Sequence, residues 1–85
     1  MTLEELVTKY VRGADRVFKE IGQLPNNVHL NEEEAKTVFE SAKRYLEDAK
    51  YYQENGKLET SLTSVAYCEG LLDALRLLGA VEFSW

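Results

Sequence analysis

Eighty-five residues, 45% apolar and 29% charged, are enough for one small globular domain and too apolar for wholesale disorder. Fifteen acids against ten lysines and arginines leave a net charge of −5. That balance argues against a nucleic-acid binder, whose affinity rests on neutralising phosphates, and no apolar run approaches the length of a membrane span.

The chain opens MTLEELVTKYV, with acids where a secretory signal needs bases. Thr2 followed by Glu5 is a capping-box spacing. Leu3, Leu6, Val7, Tyr10, Ala14, Val17, Phe18 and Ile21 then recur at helical intervals, which predicts a helix over about 2–21 ended by Gly22. Lys9, Arg12, Arg16 and Lys19 form one stripe on that helix. The plain reading is a solvated face balanced by Glu5 and Asp15, each four residues before a lysine. The sharper one is a docking strip for an acidic partner.

GQLPNNVHL, with the only proline, reads as a loop longer than most helix–helix connections. Leu24, Val28 and Leu30 are expected to tie it over one end of the core. His29, the only histidine, has no second ligand type at hand for a metal site.

The second helix, about 31–55, opens at Asn31 with Glu34 three residues on and Glu32 and Glu33 against the helix dipole. Ala35, Val38, Phe39, Ala42, Tyr45, Leu46, Ala49 and Tyr52 make its apolar stripe. Glu33, Glu40, Glu47 and Glu54, with Lys36, Lys43 and Lys50, occupy a solvated back face. Tyr51 points away from the stripe, and an exposed aromatic there is a contact candidate. Gly56 ends the helix.

The third helix, about 58–79, changes pattern midway. Leu58, Leu62, Val65 and Ala66 share a face that is expected to meet the core. Continued at 100° per residue, that face runs into Glu69, Asp73 and Arg76. Tyr67 to Leu78 carry an apolar arc wider than two neighbouring helices in a bundle need. The excess calls for cover by the proline loop, by the tail Val81–Trp85, or by another subunit. Together the elements predict a single all-α domain over residues 1–85, an antiparallel three-helix bundle.

Glu69 and Asp73 are like charges four apart, with Arg76 as the compensator. Three readings stay open: a wet edge with one ion pair, a shielded cluster that sets how helices or subunits register, and a ligand or metal site. Geometry favours Arg76 pairing with Asp73 and at least one carboxylate largely shielded from water. Tyr67, Glu69, Asp73 and Arg76 are therefore the candidate interaction cluster. Two carboxylates lack the further Glu and the Glu-x-x-His pair of helical di-metal sites. Cys68, the only cysteine, excludes an internal disulfide and reads as a small buried hydrophobe in a reducing compartment. It has no basic neighbour to make it a nucleophile. No catalytic residue, cofactor or metal is predicted, and an enzyme is not expected.

The run AYCEGLLDALRLLG, preceded by YYQENGKLETSLTSV, resembles the hallmark of an archaeal family catalogued as domain of unknown function number 357. The positions that carry the resemblance are Tyr51, Tyr52, Gly56, Ala66, Tyr67, Glu69, Gly70, Leu71, Leu72, Asp73, Ala74 and Leu75, within a likeness over roughly residues 32–82. It implies an all-helical bundle, an archaeal cytosolic origin and no established activity. Such domains look like accessory helical modules of nucleotidyltransferases. The RNA-cutting members of that group need an arginine shortly before a histidine, and His29 has none nearer than Arg16.

Two functional expectations follow. The first is a cytoplasmic, non-enzymatic interaction module that binds a protein partner or itself as a homodimer through the Tyr67–Leu78 surface. The second is an accessory or substrate-binding subunit of a nucleotidyltransferase-type or RNA-handling enzyme, touching its ligand through the Lys9–Lys19 stripe or the Glu69/Asp73/Arg76 cluster.

Overall fold

A computed structural model describes the whole chain, Met1 to Trp85. It is all-α, with helices α1 (Leu3–Ile21), α2 (Glu32–Glu54) and α3 (Leu58–Leu77) and no strand. The sequence signals that start and stop each helix are the ones the backbone uses. Thr2 accepts a hydrogen bond from the Glu5 amide at 3.1 Å. At α2 the box is complete: Asn31 Oδ1 accepts from the Glu34 amide at 2.8 Å, and Glu34 Oε2 accepts from the Asn31 amide at 3.3 Å. Each bond satisfies a first-turn donor that the helix itself leaves without a partner.

Glycine in the left-handed region closes the other ends. Gly56, at φ 74°, lets the chain reverse, with its amide on the Gln53 carbonyl and the Lys57 amide on that of Tyr52. This paired 5→2 and 6→1 pattern recurs after α3, where Gly79 and Ala80 donate to Arg76 and Leu75. The short turn at residues 55–57 makes α2 and α3 neighbours and runs them antiparallel.

The buried residues are Ala42 and Ala49 on α2 and Cys68 and Leu75 on α3. Both pairs are seven residues apart, so each recurs on one face after two helical turns, as in a coiled-coil seam. The alanines bring the α2 backbone close to its neighbour, and Leu75, only 2% exposed, closes the far end of the seam beside Ala35 and Phe39. Ser61 Oγ donates to the Ala49 carbonyl at 2.7 Å and ties the turn end of the hairpin. Beside the seam Tyr45 and Tyr67 stack with centroids 4.4 Å apart.

The closely packed part of the bundle is thus the α2–α3 hairpin. α1 does not pack closely against either helix, although its apolar stripe forms as predicted. None of its residues is buried, and Phe18 is 75% exposed. The chain is correspondingly extended: its Cα radius of gyration is 15.5 Å, against about 12 Å expected for a compact chain of this length.

Two local expectations are corrected. Leu24, Val28 and Leu30 do not tie the loop over the core; all three are exposed, because with α1 held away the loop has no bundle end to cover. Leu58 and Leu62 are likewise exposed, Leu62 at 69%. The face that α3 turns to α2 passes through Ser61, Cys68, Leu72 and Leu75, about 100° round the helix from Leu62.

Candidate functional site

The second half of α3 and the tail that follows it form the most developed polar arrangement in the molecule. After Gly79, at φ 78°, the chain folds back along α3, and Val81 and Phe83 become half-buried. Asp73 Oδ1 then accepts three hydrogen bonds. They come from the Trp85 indole N–H at 2.9 Å and from Arg76 Nη2 and Nε at 3.1 and 3.3 Å. Arg76 lies over the Phe83 ring, 5.8 Å from its centroid, and Phe83 meets Trp85 edge-on at 5.0 Å. The Asp73–Arg76 pair predicted from spacing is present. Its chemistry is that of a clamp on the carboxyl-terminal tail.

The expectation that one carboxylate is shielded is not met. The side chains of Asp73 and Arg76 are 43% and 39% exposed, and Glu69 is exposed as well. The reason is the corrected helix rotation: these residues continue the Leu58–Leu62 face, which looks outward. The hydrogen bond from Trp85, then that from Arg76, hold the Asp73 carboxyl below the ordinary aspartate range. Glu69 joins neither ion pair nor clamp, so the cluster is Asp73–Arg76–Phe83–Trp85 rather than Glu69–Asp73–Arg76. Trp85 as a donor escapes sequence reasoning because it lies outside any periodic element. The signal that was there is an aromatic Phe-x-Trp tail after an over-wide apolar helix.

Cys68 is buried as predicted. Desolvation first, and the neighbouring Glu69 charge second, raise its thiol pKa, which keeps it protonated at neutral pH and a poor nucleophile. His29 sits exposed in the loop. No group of three or more His, Cys, Asp and Glu side chains converges as a metal site would require, and no helix is long and apolar enough to cross a membrane.

The Lys9–Lys19 stripe is in place on the polar face of α1, but half of it is engaged. Arg16 pairs with Glu20 at 2.6 Å and Lys19 with Asp15 at 3.2 Å. Lys9 lies over the Tyr10 ring, 5.8 Å from its centroid. Such exposed i,i+4 pairs contribute little to stability.

Two shallow apolar grooves open on one face of the hairpin, neither of them foreseen. One, about 320 Å³, runs between α2 and the start of α3 and is lined by Leu46, Leu58, Leu62 and Val65. The other, about 300 Å³, lies at the far end and is lined by Ala35, Phe39, Leu75 and Val81. On α2, Ala35, Phe39, Leu46 and Gln53 fall within one narrow arc of the helical wheel, so both grooves belong to the same side.

Residues 9–81 match the family model described as Protein of unknown function (DUF357). The chain belongs to that family. The DUF357 match takes in most of α1 as well as the whole hairpin, so the first helix is part of the family's body. No curated protein and no solved structure matches the chain.

Proposed function

We propose that this DUF357 member is a non-enzymatic interaction module that works by presenting apolar helical faces to a protein partner or to a second copy of itself. The observation that carries the reading is α1: a 19-residue helix with eight large apolar side chains exposed on it. In proteins most of the stability of such a helix comes from packing its amphipathic face against something else. Strong segregation of apolar and polar residues on such a helix is the pattern of a face meant for cover. On α3, Tyr67 at 56% exposed, with Leu77 and Leu78, extends the available surface. The protonated, buried Cys68 and the use of Asp73 and Arg76 in a tail clamp leave these groups without a catalytic task. The alternative, an accessory subunit of a nucleotide- or RNA-handling enzyme, draws on the basic stripe, and the pairing of Arg16 and Lys19 within α1 weakens it.

The test is capture from native cells with tagged wild type and with a Val7→Asp/Phe18→Asp double variant, partners being identified by mass spectrometry. Proteins held by the wild type and lost with the variant, or recovery of the untagged chain itself, support the module. Identical captures with both proteins would overturn it.

A further inference from the structure

We infer that α1 docks into the open hairpin face of a second copy, and that the two copies exchange these helices reciprocally. The inference rests on the interaction-module reading above and names its partner.

Two unpartnered apolar surfaces exist in one chain, and they match in length and chemistry. The α1 stripe, Leu3 to Ile21, is about 27 Å long at 1.5 Å per residue. The hairpin face spans Ala35 to Gln53 on α2, also about 27 Å by the same rise. Apolar side chains line that face (Phe39, Leu46, Leu62 and Val65), with Glu32, Lys36 and Lys50 at its rim. In the structure α1 does not pack closely against its own hairpin. This open protomer, a helix held out on a ten-residue linker (22–31) from a body with a vacant face, is the unit from which a reciprocal exchange is built.

Charge selects the helix of the second copy over its hairpin. Residues 1–22 carry four bases and four acids, whereas residues 23–85 carry six and eleven. Two hairpins facing each other would bring the Lys36 and Lys50 of each rim together, whereas a net-neutral α1 sets Glu4 and Asp15 at the edge of its apolar arc. The same neutrality makes α1 a poor match for an anionic lipid surface, which recruits basic helices. Area is sufficient: at roughly 60–120 Å² per fully buried apolar side chain, eight such residues on each of two copies bury about 960–1,900 Å², and the hairpin surface they cover adds to this, which brings the total to the ~1,200 Å² or more of a stable interface. Because each copy gives one helix and receives one, the contact closes with two-fold symmetry and leaves neither surface exposed.

The experiment is sedimentation of the full chain across concentration, with hydrogen exchange of the α1 amides measured alongside. Wild type is expected to move from 9.7 kDa to about twice that mass, with α1 protection rising in step. Val17→Asp on α1 and Leu62→Asp on the hairpin, both at exposed positions, should each leave a folded monomer. A dimer lost with Val17→Asp but kept with Leu62→Asp would mean that α1 pairs with α1, and would overturn the exchange. A wild type that stays monomeric overturns it as well, and two further results then separate the readings. Unprotected α1 amides leave the helix free for a different protein, so the interaction module survives. Protected α1 amides in a monomer mean that the helix closes on its own hairpin, and both readings fall. Ordering of α1 only on anionic vesicles would replace the second copy with a membrane surface.

Discussion

α1 and the α2–α3 hairpin are built from the same ingredients and end in opposite conditions. α1 segregates its apolar and charged residues cleanly and buries none of them. α3 scatters apolar residues around most of its circumference and supplies two of the molecule's four buried side chains. An amphipathic stripe therefore reports that a helix needs a neighbour, and it is silent on which molecule supplies one. The buried seam depends on something else: small residues on α2 at a spacing of seven, Ala42 and Ala49, which let two backbones approach.

The largest expected effect breaks or keeps this contrast directly. Leu75→Ala should destabilise the hairpin by about 2–5 kcal/mol, since the side chain is enclosed and leaves a cavity. Val17→Ala on α1 should change hairpin unfolding in dilute protein by no more than about 0.5 kcal/mol, as for other exposed positions. Chemical denaturation followed by circular dichroism measures both, and equal losses would join α1 to the hairpin. The caps sharpen the same contrast on a smaller scale. Asn31→Ala removes the α2 capping box and should cost about 0.5–2 kcal/mol. Thr2→Ala, at the start of α1, should lower α1 helicity and leave the hairpin midpoint where it was.

The tail clamp supplies the smallest effects. Arg76→Ala should leave the denaturation midpoint of the hairpin unchanged within error, because the pair it breaks is solvent-exposed. A clear loss would restore the shielded-cluster reading. Asp73 makes the clamp sensitive to acid. Its folded-state pKa lies below the unfolded value, so its contribution is complete above the ordinary aspartate range. That contribution disappears as the pH falls through the depressed value. Trp85 is the only tryptophan and is 68% exposed even in the clamp, so its indole N–H proton resonance, rather than its emission, reports the tail alone. That resonance should lose its hydrogen-bonded shift only below the ordinary aspartate range, and Asp73→Ala should show the free indole N–H at neutral pH. A transition at or above that range would remove Asp73 from the clamp.

Much of this was legible from the chain because it depends on neighbours in sequence. Helix starts at Thr2 and Asn31 and stops at Gly22, Gly56 and Gly79 follow from hydrogen bonds within a turn of the residue concerned and from glycine's freedom at positive φ. The Asp73–Arg76 pair follows from a spacing of three on a helix, and the three-helix, all-α composition follows from periodicity.

Contacts between elements were not legible in the same way. Leu58 and Leu62 share an apolar face with Val65, yet the hairpin rotates α3 so that Cys68 and Leu75 meet α2. That rotation is decided by where Ala42 and Ala49 allow close approach. With it went the shielding of Glu69 and Asp73. Trp85 reaches Asp73 across twelve residues only because the chain reverses after Gly79, a contact no local pattern encodes. The amino-acid sequence by itself determined three amphipathic or apolar helices, their caps and one ion pair, because each is settled within a few residues. The tertiary structure alone decided which faces are covered and that α1 is left without cover, since burial is a property of surfaces brought together across the whole chain.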